Sequence, residues 1–169
     1  MARHEVSFQP NEGVLARTRS FGREILQTDQ SKPYIAIHLL DERCTCSQTV
    51  IDEILSATIP DASAMVLMLS PLNQETRTRL EQKGMKVQEL NSKEARAQLG
   101  METVPWFVVL DRELNILYSG GYSQTKVRSR TDVQISEIMT AIREKRKPAS
   151  LPTFGCLISN ELRRLLLQF

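Results

Sequence analysis

The segment from Tyr34 to Ser47 reads YIAIHLLDERCTCS and combines several local patterns. Its first seven residues form an apolar run between a proline and an aspartate, which has the length of a buried strand. The polar stretch that follows contains Cys44 and Cys46, and apolar side chains then recur at helical spacing from Val50. The segment therefore predicts a buried strand, a short turn that carries two cysteines, and a helix.

A cysteine between a strand and a helix is well placed for thiol chemistry. The thiolate is the form that attacks a disulfide, and the N–H groups and dipole of a helix N-terminus lower a thiol pKa. We therefore expect Cys44 and Cys46 to be exposed and reactive, with Cys44 as the nucleophile and Cys46 as the resolving thiol. A cation at Arg43 is expected to favour the Cys44 thiolate further. Inert burial of both cysteines is the alternative.

The patterns on either side of this segment predict alternating helices and strands. We expect strands over residues 34–40, 65–69, 85–90, 106–110 and 116–118. We expect helices over 13–28, from the cysteine pair towards Pro60, over 73–83 and 92–99, after an N-cap at Asp132, and after an N-cap at Ser159. Residues 1–12 are expected to be extended or loose, and residues 147–152 to be a linker. Strand–helix–strand units pair in parallel and a final hairpin adds an antiparallel edge, so the pattern predicts a mixed α/β sheet with helices on both faces.

A second informative segment runs from Gly100 to Asp111 and reads GMETVPWFVVLD. It resembles the thioredoxin superfamily, whose members carry a cis-proline at the start of a buried strand that faces the redox cysteines. The style is closest to the membrane-anchored thioredoxin-like proteins of the bacterial envelope. The resemblance implies a thioredoxin-like three-layer fold with a cis Pro105. It also implies that Val104 and Pro105 hold a substrate chain. Thr45 and Trp106 are further candidate substrate-binding residues, and a structural aromatic is the alternative for Trp106.

The resemblance covers about residues 33–144, and Gly120-Gly121 stands where the family usually has glycine. The chain departs from the family in its CxC motif, where CxxC is usual, and in Arg43, which replaces a typical tryptophan. Because a pair one residue apart closes a small strained ring, we expect a couple less reducing than the usual thioredoxin pair. The predicted organisation is an N-terminal extension with a helix over 1–30, a thioredoxin-like domain over 31–147, and a tail with a helix over 148–169.

The predicted function is thiol–disulfide exchange at Cys44 and Cys46, without an organic cofactor. Protein thiols or disulfides are the expected partners, and a membrane redox partner is a further candidate. One alternative is a metal-binding or metallochaperone protein that uses Cys44, Cys46 and Cys156, and another is an interaction module without turnover. Cys156 is either a packed core cysteine or a third thiol that the tail returns to the pair. His38, within the predicted strand, is expected to be a core histidine.

The composition of the chain limits the classes of protein to which it can belong. The chain has 22 basic and 20 acidic residues and a formal net charge of +2, which gives no whole-protein drive towards nucleic acid. Three cysteines are too few for a disulfide scaffold. No apolar run is long enough to span a membrane. We expect a periplasmic or membrane-anchored protein that faces the periplasm if an N-terminal signal was removed, and a cytoplasmic protein otherwise.

Overall fold

The computed structural model describes residues 4–6, 12–57, 59–99, 101 and 103–158 of the 169-residue chain. Five α-helices and eight strands lie within these residues. The helices are α1 Glu12–Thr28, α2 Thr45–Ser56, α3 Gln74–Gln82, α4 Ser92–Leu99 and α5 Ile135–Arg143. The strands are β1 His4–Val6, β2 Tyr34–Leu40, β3 Ala62–Met68, β4 Lys86–Glu89, β5 Thr103–Val104, β6 Trp106–Asp111, β7 Ile116–Gly120 and β8 Thr153–Leu157.

The main sheet has five strands in the order β4-β3-β2-β6-β7. Strand β2 is central, because it pairs in parallel with β3 and antiparallel with β6. Strand β4 joins β3 in parallel, and β7 pairs with β6 as the return of a hairpin. This is the mixed α/β sheet that the pattern predicts, and its strand order and directions are those of a thioredoxin-like fold.

Helices cover both faces of the sheet, which gives three layers. Side chains on a strand alternate between its faces, so Ala36 and Leu40 pack with α2 and α5, while Ile35, Ile37 and Leu39 pack with α1 and α4. The central strands are apolar on both faces because both faces are buried. The cysteine pair lies on the face that α2 and α5 cover.

A second sheet of three strands has the order β1-β8-β5. Strand β8 comes from the tail and lies antiparallel between the two others, with Gly155 opposite His4 and Cys156 opposite Val104. Because β5 leads directly through Pro105 into β6, this sheet holds the tail against the start of a central strand.

Several predictions at the element level need correction. Asp132 does not cap α5: its carboxylate accepts the backbone N–H groups of Arg128 and Ser129 and closes the 3₁₀ turn Arg130–Asp132, while α5 begins at Ile135. Residues 153–157 form strand β8, which the sequence pattern did not predict. The predicted helix after Ser159 lies outside the described residues. Among the described helices, none is both long and apolar enough to cross a membrane.

Candidate active site

Cys44 and Cys46 lie at the junction between β2 and α2. Cys44 is the residue at which α2 is capped, with extended backbone angles, and its backbone N–H donates to Asp41 O at 2.9 Å. Cys46 follows in the first turn of the helix. Both side chains are buried, with 1 % and 3 % of their surface exposed. The expectation that the pair would be exposed is therefore wrong.

Two segments distant in sequence bury the pair. The carbonyl oxygen of Val127, in the loop after β7, lies 3.7 Å from Cys46 Sγ. The carbonyl oxygen of Val104, in β5, lies 4.0 Å from Cys44 Sγ. Strand β8 then covers β5 from outside, with Cys156 opposite Val104. The polar neighbours of the pair in sequence gave no sign of this cover, because it comes from residues 60 or more positions away.

The pKa of Cys44 depends on both of the other cysteines. All three lie within the described residues and are present as thiols rather than as disulfides. The pKa of Cys44 is lowered, first because the Cys156 thiol donates a hydrogen bond to its sulfur and then because the Cys46 thiol does the same. Burial opposes this shift, and hydrogen bonds from Ser47 add to it. The net shift of the Cys44 pKa is therefore towards the thiolate form.

Cys46 responds in the opposite direction. Its pKa is raised, first because its thiol donates a hydrogen bond to Cys44 and second because burial disfavours a thiolate. The charge of Lys126 works weakly against this shift. The pKa values of the two neighbouring thiols are therefore shifted in opposite directions.

Arg43 does not act on Cys44 as expected. Its guanidinium binds the Asp41 carboxylate, with Nη2 at 2.8 Å and Nε at 3.0 Å from the two oxygens. Burial raises the pKa of Asp41, but the hydrogen bonds from Arg43 outweigh it and the net shift is downwards. The neighbouring Glu42 carboxylate accepts Asn73 Nδ2 at 2.6 Å. These charges hold the loop ahead of the cysteines in place.

His38 belongs to the core, as expected. It is fully buried, its Nδ1 lies 2.8 Å from the Tyr122 hydroxyl, and its ring stacks on Phe107 with centroids 4.8 Å apart. Burial lowers the pKa of His38 to about 3, so the ring is neutral near pH 7. Its Nε2 has no hydrogen-bond partner among the described residues.

The residues predicted to bind substrate lie in different environments. The Val104–Pro105 peptide bond is cis, the isomer that the resemblance implies. The backbone edge of Val104 is already paired with β8, and Thr45 is exposed at the start of α2. Trp106 does not border the cysteines: it is 1 % exposed and packs on the opposite face of the sheet, with α1 and α4.

Gly121 and Gly155 allow the tail to pack closely against the rest of the protein. The Gly121 backbone N–H donates to Leu151 O at 2.8 Å, and a Cβ at Gly121 would lie 2.0 Å from Pro152 O. A Cβ at Gly155 would lie 1.8 Å from Val104 O. The available signal in the sequence was the run after Pro152, whose threonine, phenylalanine and aliphatic residues favour a strand.

The arrangement gives no support to a metal centre. Within the described parts of the chain, no three His, Cys, Asp or Glu side chains are grouped so that they could hold a metal ion. His38 is engaged with Tyr122 rather than with the cysteines.

The cysteine pair lies at the N-terminus of the helix that follows the central strand, and the carbonyl oxygen of Val104, which precedes the cis Pro105, lies 4.0 Å from Cys44 Sγ. Solved structures support the fold. An uncharacterized conserved protein from Geobacillus kaustophilus superposes with a TM-score of 0.61 at 19 % identity, over 79 % of this chain and 80 % of that one. The hypothetical protein SMc02350 from Sinorhizobium meliloti 1021 gives 0.58 at 14 % identity, over 76 % and 80 %.

The strand order and directions of the main sheet are those that the resemblance to the thioredoxin superfamily implies. StoA from Bacillus subtilis also matches, with a TM-score of 0.44 at 13 % identity over 64 % of this chain and 84 % of that one. No protein-family model and no curated protein sequence matches the chain.

Proposed function

We propose that this protein is a thiol–disulfide oxidoreductase in which Cys44 is the nucleophile and Cys46 the resolving thiol. The observation that carries the proposal is the position of Cys44 at the N-terminus of α2, with Val104 O 4.0 Å from its sulfur and Cys46 in the first turn of the helix. Hydrogen bonds from Cys156 and Cys46 lower the pKa of Cys44 there. A thiolate stabilised in this way is the species that attacks disulfides. Protein thiols or disulfides are the proposed substrates, and no organic cofactor takes part.

The first step forms a mixed disulfide. The Cys44 thiolate attacks one sulfur of a substrate disulfide, the substrate S–S bond breaks, and the other substrate sulfur leaves as a thiolate. Cys44 is then joined to the substrate and no longer carries a charge. The largest cause that raises the pKa of Cys46, its hydrogen bond to Cys44, is removed by the same step.

The second step releases the substrate. Cys46 gives its proton to the departing thiolate and attacks Cys44 Sγ, which forms the Cys44–Cys46 disulfide and frees this substrate sulfur as a thiol. The substrate thiolate released in the first step takes up a proton from water, which completes the dithiol. Two electrons pass from the cysteine pair to the substrate. The reverse sequence oxidises a substrate dithiol, and the potential of the pair sets the direction.

We expect the redox potential of the Cys44–Cys46 pair to be less negative than that of thioredoxin, for two reasons. A ring closed across one intervening residue is strained, which destabilises the disulfide. Hydrogen bonds to the Cys44 thiolate stabilise the reduced form. Such a couple suits a compartment in which disulfides form, and the bacterial envelope that the resemblance implies is the proposed location.

A glutathione redox series tests the proposal, with mass spectrometry to locate the bridge. We expect a reversible Cys44–Cys46 disulfide with a potential less negative than about −270 mV, the value for thioredoxin. The Cys44→Ser protein should form no bridge to Cys46. Failure of the wild-type protein to form this bridge at any ratio would contradict the proposed function, while a bridge at or below the thioredoxin potential would contradict the strain argument alone.

Turnover of a protein substrate distinguishes the enzyme from an interaction module. We expect the wild-type protein to accelerate the reduction or oxidation of a disulfide-containing test protein such as insulin, and the Cys44→Ser protein to lose that activity. Equal rates for the two proteins would favour a module that only binds its partners.

A further inference from the structure

Strand β8 occupies the site at which a substrate strand is expected. The predicted substrate edge is the backbone of Val104, and β8 pairs with that edge antiparallel, with Cys156 directly opposite Val104. The carbonyl oxygen of Val104 also lies 4.0 Å from Cys44 Sγ. The tail therefore presents a cysteine to Cys44 from the direction of a bound substrate.

The fit between the tail and the groove is close and specific. Gly155 is needed at its position, since a Cβ there would lie 1.8 Å from Val104 O and 2.7 Å from Pro105 Cδ. Before the strand, Leu151 and Pro152 pass over Gly121 in the same way. After it, Ile158 is buried in the core beside α1 and α4. A tail held at both ends in this way is a built part of the site.

Cys156 is also placed to react. Its side chain is half-buried, it packs against both core clusters, and its thiol donates a hydrogen bond to Cys44. The positive charge of Arg43, whose side chain is largely exposed, acts on the same thiol from outside.

From this geometry we infer that Cys156 is a third redox thiol and that β8 is an internal substrate strand. The inference rests on the proposed function. In the step we assign, the Cys156 thiolate attacks Cys44 Sγ of the Cys44–Cys46 disulfide. The Cys44–Cys156 bond forms, the Cys44–Cys46 bond breaks, and Cys46 leaves as a thiolate that takes up the proton Cys156 has lost. One disulfide is exchanged for another, so no further oxidant is needed.

This exchange moves the disulfide outwards. Cys46 lies beneath the loop that contains Val127, whereas Cys156 lies on the tail strand that closes the groove. A Cys44–Cys156 bond adds a covalent link to the strand pairing that already holds β8 over Val104 in the reduced protein.

The test uses the Cys46→Ser protein and oxidised glutathione. Cys44 first displaces one glutathione and becomes glutathionylated, and Cys156 then displaces the second to form Cys44–Cys156. We expect this bridge as the main product, located by mass spectrometry of peptides that have not been reduced. The Cys156→Ser protein is the matched control, and it should form Cys44–Cys46 instead.

The outcomes separate this inference from the proposed function. A Cys46→Ser protein that stops at the glutathione adduct, while the wild type forms Cys44–Cys46, overturns the role of Cys156 and leaves the proposed function intact. Absence of any bridge in the wild-type and Cys46→Ser proteins alike overturns both.

A second variant tests whether docking of β8 presents the thiol. In the Cys46→Ser background, Gly155→Ala places a methyl group against Val104 O, and we expect the Cys44–Cys156 bridge to form about tenfold more slowly, which corresponds to about 1.4 kcal/mol of docking. Ala149→Ser, at an exposed position of the same tail, is the control and should leave the rate unchanged. Equal rates for the Gly155→Ala and Ala149→Ser proteins would show that docking of β8 plays no part.

Discussion

At the scale of single residues, the protein concentrates its hydrogen bonding on the sulfur of Cys44. A buried thiol without partners has a raised pKa, because burial disfavours the anion. Here the donors Cys156, Cys46 and Ser47 outweigh burial and lower the pKa of Cys44. The charge is therefore maintained by neighbouring side chains, and removing one of them should be measurable.

The ionisation of Cys44 gives the first prediction. In the reduced wild-type protein we expect thiolate absorbance near 240 nm to persist below neutral pH, where an ordinary thiol with a pKa of about 8.5 is protonated. Cys156→Ala removes the largest of the stabilising hydrogen bonds and should raise the pKa of Cys44. Cys44→Ala is the control, since it should abolish the thiolate signal at low pH. An unchanged titration in Cys156→Ala would contradict the assigned contact.

At the scale of elements, helix α3 connects the cysteine loop to the rest of the sheet. Asn73 caps this helix, because its Oδ1 accepts the Thr76 backbone N–H at 2.9 Å. The same side chain donates to the Glu42 carboxylate in the loop that leads to Cys44. One residue thus closes the start of α3 and positions the loop.

We expect Asn73→Ala to lower the free energy of unfolding by about 1 kcal/mol, the usual cost of losing an N-cap side chain. Urea unfolding measures the change. Gln74→Ala, at the next exposed position, provides the comparison and should have little effect, since alanine is a good helix former. A loss of similar size in both variants would show that the Asn73 cap contributes no specific stabilisation.

Elements with a local sequence signal were predicted well, whereas elements that depend on contacts with remote segments were not. Strand β2 was predicted with its observed bounds, because a seven-residue apolar run between polar residues is a local signal. Strand β8 was missed, because it is short, contains Gly155, and is a strand only through pairing with β1 and β5. Burial of the cysteines was missed for the same reason, since the cover is supplied by segments remote in sequence.

At the scale of the whole molecule, two cores share one sheet, and the core on the cysteine side contains a titratable ring. His38 lies among Phe107 and Tyr122, and burial lowers its pKa to about 3. In the unfolded chain the same ring titrates near 6.5. Between these values the unfolded chain binds a proton that the folded protein does not bind.

Stability should therefore fall as pH falls. The contribution of a neutral His38 is complete above about pH 6.5 and is lost progressively as pH drops towards 3, at about 1.4 kcal/mol per pH unit. Urea unfolding of the wild type and of His38→Gln, at about pH 7 and about pH 4.5, isolates the contribution of His38 to the pH dependence of stability. Glutamine does not titrate, so the stability advantage of the wild type should shrink at the lower pH. A constant difference would show that His38 is protonated without cost in the folded state.

The placement of Cys156 on the same chain as Cys44 also sets a condition for every outside partner. A tethered group competes at an effective concentration that reaches the millimolar range even for a flexible linker. Strand β8 is docked as well as tethered, which raises its advantage further. A small soluble thiol at a lower concentration therefore competes poorly for Cys44. A protein that supplies both a thiol and an extended strand for Val104 replaces both interactions at once, so selection among partners acts on strand pairing as much as on sulfur chemistry.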